Sequence, residues 1–155
     1  MNWEAVSAIA EVLGAIAVVV SLVYLALQIR AQNLEARVAA MHEISVGFRD
    51  SISTFANPQM AELFTRSNKS ELSLTDAEML QLVVGIQRIF RVWEEAYGQH
   101  LQGRLDGDIW EAMIRQYSSY LAAPGFQRVW ELRRSYYNNE FRKFVDELPR
   151  SEYRL

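Results

Sequence analysis

The side chains in this sequence that could do chemistry are few, and their spacing brings almost none of them together. His42 and His100 are the only histidines. Neither has a carboxylate three or four residues away, the spacing that puts two metal ligands on one helical face. Glu94-Glu95 lacks the histidine three residues on that a di-iron helical bundle uses. Cysteine is absent, so thiolate metal sites and disulfides are excluded. Gly98, Gly103, Gly107 and Gly125 stand singly with no strand before them, so no phosphate-cradling loop is present, and no serine lies in a Gly-x-Ser-x-Gly setting. Glu94 falls on the apolar side of its helix, three residues after Arg91. It is either a buried acid in a cleft or a structural carboxylate paired with the guanidinium, and the second is expected. These patterns predict a protein that is not an enzyme and that has no cofactor and no metal site.

Charge narrows the partners. The net charge is −3, and a phosphate-binding domain usually carries a basic excess, so no nucleic acid is expected. Of the sixteen basic residues, fourteen are Arg and two are Lys, all at or beyond Arg30. Arginine pairs bidentately and stacks on rings, so partly buried ion pairs are expected in the part of the chain beyond Arg30.

The one intramembrane candidate for chemistry is Glu11, and it leads to the element that must carry it. Between Glu11 and Arg30 run eighteen residues, Val12 to Ile29, without a charge. As a helix they span roughly 27 Å, close to the ~30 Å hydrocarbon core of a bilayer. Trp3 and Tyr24 are residue types that favour the headgroup level. The leader carries Glu4 rather than a basic cluster, and Arg30 follows the apolar run directly, so a retained anchor is expected rather than a cleaved signal. Arg30 and Arg37 after the span, against Glu4 and Glu11 before it, predict an outside N-terminus and a cytoplasmic remainder.

Along this helix Ser7, Ala10, Gly14, Ala17 and Ser21 recur at alternating spacings of three and four, a heptad seam made of small residues. Tyr24, Gln28 and Ala31 continue it. Small residues let helix backbones approach closely in lipid, so the seam predicts a helix–helix interface, most simply with another copy of the chain. A second stripe (Glu4, Ser7, Glu11, Gly14, Val18, Ser21, Leu25, Gln28) opens an alternative. In a ring of such helices Glu11 would form an acidic outer mouth and Gln28 would lie along a cation-selective bore. Val18 and Leu25 would constrict it.

The remainder reads as helices throughout. An apolar stripe (Leu34, Val38, Met41, Ser45, Phe48, Ile52, Phe55) continues the first helix to Asn57-Pro58, which predicts one helix of roughly 80 Å whose outer part packs on the chain's own helices. Further helices are expected over Pro58–Arg66, from Thr75 with Glu78 as a capping box to about Leu101, over Ile109–Leu121, over Gly125–Tyr136 and over Glu140–Leu148. A polar loop is expected over Ser67–Ser73. The helix after Thr75 carries the broadest apolar stripe and should be central. The basic and aromatic residues from Arg128 to Tyr137 divide by helical spacing, with Phe126, Val129, Trp130, Leu132 and Tyr136 toward a core and Arg128, Glu131 and Arg134 toward solvent. The fold class is all-α: a transmembrane anchor over residues 1–30, a cytoplasmic helical domain over 31–148 that forms a small bundle, and a tail over 149–155.

Several stretches together carry a resemblance. They are Met1-Asn2-Trp3-Glu4-Ala5, Tyr24-Leu25-Ala26-Leu27-Gln28-Ile29-Arg30, Phe90-Arg91 with Glu94, Trp110, Pro124-Gly125 with Trp130, and Phe141-Arg142-Lys143-Phe144-Val145-Asp146. Over nearly the whole chain the sequence resembles a widespread family of short bacterial inner-membrane proteins, a domain of unknown function. The resemblance implies a bacterial inner (plasma) membrane location and no activity. The expected role is a homo-oligomeric, membrane-anchored scaffold or interaction protein. The alternatives are the small cation channel and an accessory subunit of a larger membrane complex. Expected partners are membrane lipid and further copies of the chain, with another membrane protein as the alternative occupant of the seam.

Overall fold

Helix boundaries in this chain are set by residues that satisfy backbone groups the helix itself cannot. The Asn57 side chain accepts from the amides of Gln59 and Met60, and Pro58 follows at the first helical position, where its missing N–H costs nothing. Thr75 and Glu78 form a reciprocal capping box. The side chains of Asp106 and Asn138 accept from the amides of Asp108 and Phe141. In the computed structural model, which describes residues 2–69 and 74–152, these caps delimit six α-helices. They are α1 (Trp3–Ser53), α2 (Pro58–Ser67), α3 (Asp76–Leu101), α4 (Gly107–Ala122), α5 (Pro124–Arg133) and α6 (Asn139–Glu147). Short 3₁₀ turns cover Thr54–Ala56 and Arg134–Tyr136, and no strand occurs among the described residues, so the chain is all-α as expected. The expected loop at Ser67–Ser73 and the tail at 149–155 each lie partly outside the described residues.

By its contacts the chain forms two compact units, Met1–Ala39 and Ala40–Leu155. The described residues of the first belong to α1 but for Asn2, and almost all are exposed; Ala36 alone is half-buried. Packing among helices begins at Ala40.

In the second unit α3 is central. Its buried face comprises Leu82, Val83, Gly85, Ile86, Ile89, Phe90, Trp93 and Ala96. Of the apolar stripe that helical spacing sets out, Leu82, Val83, Ile86, Ile89, Phe90 and Trp93 are buried, Met79 and Tyr97 are half-buried and Leu101 is exposed, while Gly85 and Ala96 join the buried face. Phe90 meets Trp93 edge-on with centroids 4.9 Å apart and lies 5.0 Å from Trp130 of α5. Trp93 stacks on Tyr117 of α4 at 4.1 Å. Tyr97 stacks on Phe144 of α6 at 4.6 Å. Rings of this size remove large apolar areas from water, and their offset and edge-on contacts add about 0.5–1.5 kcal/mol per pair.

Two expectations about which face is buried are corrected. Of the expected stripe in α1 and the turn after it, Met41, Phe48 and Phe55 are half-buried while Leu34, Val38, Ser45 and Ile52 are exposed, and the fully buried residues of α1 are instead Ala40, Ile44 and Ser51. Close approach to α3 selects a small residue at Gly47, where a Cβ would stand 3.2 Å from Val92. In the stretch after α5, Leu132 is 49% and Tyr136 59% exposed, and Tyr137 is buried instead. The 3₁₀ turn from Arg134 breaks the 3.6-residue period and turns the next ring inward.

The α2–α5 junction is closely packed. The Asn68 side chain accepts from the Gly125 amide at 2.9 Å, capping α5 from a residue fifty-seven positions away. A Cβ on Gly125 would collide with the Ser67 hydroxyl, which is fully buried and donates to the Phe64 carbonyl at 2.7 Å. Gly98, by contrast, has nothing within 4 Å of its missing Cβ. Gly125→Ala should therefore destabilise the protein by about 1–3 kcal/mol, as overpacking does. Gly98→Ala should stabilise it by about 0.5–1 kcal/mol by restricting the unfolded backbone. Chemical denaturation followed by helical circular dichroism compares the two, and loss of this ordering would refute the packing account.

Candidate functional site

The residues expected to form a helix–helix interface lie on α1. Ser7, Ala10, Gly14, Ala17 and Ser21 are helical and exposed, as are Glu11 and Gln28. A Cβ on Gly14 would meet nothing within 4 Å, so no contact inside this chain uses the space that its glycine leaves. The Ser21 hydroxyl donates to the Ala17 carbonyl at 2.8 Å. That bond satisfies the donor within its own helix and draws the hydroxyl in against the helix. α1 is long and apolar enough to cross a membrane: its most apolar eighteen-residue window has a mean hydropathy of 2.5 and is 0% buried. Val18 and Leu25, on the stripe that would line a bore, are large and exposed.

In the second unit the chemistry-bearing residues are held in structural pairs. Glu94 accepts from Arg91 at 2.6 Å, from the Asn138 amide at 2.9 Å and from the Asn138 side chain at 3.1 Å. It thereby ties α3 to the start of α6, and Arg91 also lies over the buried Tyr137 ring at 4.5 Å. Burial pushes the Tyr137 hydroxyl up to about 12. Spacing placed Arg91 beside Glu94, but no local signal pointed to Asn138. Asp146 is bound by the Trp130 indole at 2.8 Å and by Arg134, fixing α6 to α5. His42 is exposed, and the His100 ring stacks on Trp110 at 4.3 Å, so the two histidines sit in unlike surroundings. Among the described residues no group of three or more His, Asp or Glu is placed to hold a metal ion.

Two grooves flank the segment from Ile52 to Thr65. One, of about 270 Å³, is walled by Ile52, Phe55, Phe64, Ile89, Tyr120 and Phe126. The other, of about 520 Å³, lies between the Thr54–Ala56 turn, α2 and α3, with Met60, Val84 and Gly85 in its wall and Arg88 at its edge. Neither was visible in the sequence, because each is lined from segments distant in the chain.

The clearest electrostatic anchor is at the start of α3. Arg66 donates to Glu78 at 2.7 Å, and the Thr75 amide donates to the same carboxylate at 2.9 Å. The Arg66 bond first, then those from Thr75, hold the Glu78 carboxyl down to about 2. A carboxyl lowered in the folded state stabilises fully above its ordinary range, and that contribution is lost as pH falls toward the folded value. Carbon-detected NMR titration should find the Glu78 midpoint near pH 2, and Arg66→Gln should return it toward the usual carboxylate range. An unchanged midpoint in the variant would show that the ion pair is not the cause.

Comparison with protein-family models, with curated proteins and with solved structures finds no match to this chain.

Proposed function

We propose that this protein is a membrane-anchored scaffold that self-assembles through the N-terminal part of α1, with its C-terminal unit in the cytoplasm. The observation that carries the reading is the uncharged, predominantly apolar run from Val12 to Ile29, which is buried nowhere by the chain itself. Apolar surface of that extent is disfavoured in water and favoured in lipid. Arg30 and Arg37 at its exit support a cytoplasmic C-terminal unit under the positive-inside bias. The resemblance to short bacterial inner-membrane proteins supports the bacterial inner membrane as the location.

Self-association rests on the seam. Lipid offers no hydrophobic drive between helices, so association depends on close backbone approach, and Ser7, Ala10, Gly14, Ala17 and Ser21 allow it along one face. The open space at Gly14 supports a partner from outside the chain. A pore is less well supported, because Val18 and Leu25 narrow the bore and Ser21 is bonded to its own helix. Docking of the same seam on another membrane protein is the remaining reading.

Two experiments test this. Alkaline carbonate should leave the protein in the membrane fraction, and a reporter fused after Leu155 should behave as cytoplasmic; a soluble protein or a periplasmic signal contradicts the anchor or its orientation. Gly14→Leu should reduce cross-linked oligomer in membranes by about tenfold, the scale of ~1.4 kcal/mol, whereas Ile16→Leu, off the seam, should leave it unchanged. Equal oligomer in both variants removes the seam from the assembly, and a monomeric wild type favours docking on a different protein.

A further inference from the structure

We propose that the groove between the Thr54–Ala56 turn, α2 and α3 binds a medium-chain aliphatic carboxylate, its head on Arg88 and its chain along Val84, Leu80 and Met60. This site is separate from the self-assembly seam and does not depend on it.

The apolar part comes first. The middle of α3 buries Leu82, Val83, Ile86, Ile89, Phe90 and Trp93, yet Leu80 and Val84 beside them are 61% and 52% exposed. They stand one helical turn apart, and Arg88 follows one turn later, so the three make a single row of roughly 12 Å. Isolated exposed apolar residues are ordinary. Here they border a concavity of about 520 Å³, within the size range of small-molecule sites. Gly85, next after Val84, is buried against the Met60 methyl with no room for a Cβ, so backbone and thioether form part of the wall. A flexible thioether adapts to an alkyl chain.

The head is defined by charge. Arg88 is the sole charged residue in the lining, whose polar members are otherwise neutral, among them Ser53, Thr54, Asn57 and Gln81. Its guanidinium is held at the groove's edge by the Thr54 hydroxyl at 2.9 Å and the Asp50 carbonyl at 3.4 Å. Arg66, Arg91 and Arg134 each reach a carboxylate within ion-pair distance. Arg88 pairs with none among the described residues. Neutral acceptors fix its position without cancelling its charge. A single anchored cation beside an apolar trough is complementary to a monoanion with an aliphatic tail, and a guanidinium suits the planar carboxylate. The length of the row matches a chain such as octanoate, whereas an acidic amphipathic helix would need a longer trough to seat anchors on successive turns.

The test uses the full-length chain in lipid nanodiscs and an octanoic acid carrying an alkyl diazirine. After irradiation, mass spectrometry should find adducts on the segment with Met60 and on that from Leu80 to Arg88. Octanoate should compete for this labelling and octanamide should not. Potency should rise roughly two- to fourfold per added methylene up to the length of the row and then level off. Partition into the bilayer, by contrast, keeps rising with chain length. Arg88→Gln and Val84→Asp should each weaken competition by about tenfold or more, while Leu101→Asp, an exposed site on α3 outside the groove, should not. Labelling confined to the Val12–Ile29 segment overturns the proposal. So does equal competition by octanamide on the wild type, a result independent of any variant's folding. Cross-links joining the groove to a second copy would overturn it in favour of a protein partner.

Discussion

Phe90 and Trp93, one turn apart on α3, are fully buried, and the other helices of the C-terminal unit are arranged around the face they occupy. Trp130 of α5 lies against Phe90, Tyr117 of α4 stacks on Trp93, and Tyr97, one turn on, stacks on Phe144 of α6. Removing rings of this size from water supplies the main driving force, and their geometric preferences restrict the angles at which neighbours can pack. The polar contacts then fix register. Glu94 ties the start of α6 to α3, Asp146 ties α6 to α5, and Asn68 caps α5 from the end of α2. Each joins elements that the aromatic core has already brought close. Such bonds contribute modestly in net terms but are costly to leave unmade.

α1 obeys two different requirements along its length. In its apolar run the backbone is helical throughout, and the Ser21 hydroxyl donates back to the Ala17 carbonyl one turn earlier, an arrangement that suits hydrocarbon. From Ala40 onward the same helix buries Ala40, Ile44 and Ser51 in the C-terminal unit, with Gly47 close under Val92 of α3. Close approach is therefore the theme of both stretches, in one case against α3 and in the other, under the proposed assembly, against a second copy.

The predominance of arginine over lysine has a structural explanation. Arg66 and Arg134 hold carboxylates of other elements, Arg91 holds Glu94 within α3, and Arg91 also covers the Tyr137 ring, tasks that a planar guanidinium performs better than an ammonium. Arg88 is held by neutral oxygens instead, which leaves its charge available at the edge of a groove. A scaffold fixed to a bilayer by one unit and able to sense an amphiphilic anion with the other would join the two proposed properties in one chain.

Local chemistry alone determined the helices. The caps at Asn57-Pro58, at Thr75 with Glu78 and at Asn138, and the uncharged run from Val12 to Ile29, act within a turn or two of the residues that carry them. They are therefore legible without a fold. The stripe from Leu82 to Trp93 was legible too, because a face that broad must be buried by something. Which face of a weaker stripe is buried was not. Leu34 and Val38 are exposed whereas Ala40, Ile44 and Ser51 are buried, and only at Gly47 does the nearness of Val92 limit the volume allowed. Tyr137 replaced Tyr136 because a 3₁₀ turn reset the period. The second partner of Glu94 lies forty-four positions away, and the groove at Arg88 joins the end of α1 and the start of α2 to the middle of α3. Periodicity and capping are properties of a short segment, whereas the choice of buried face, the long-range hydrogen bonds and every concavity depend on how closely a second segment approaches, and only tertiary packing fixes that distance.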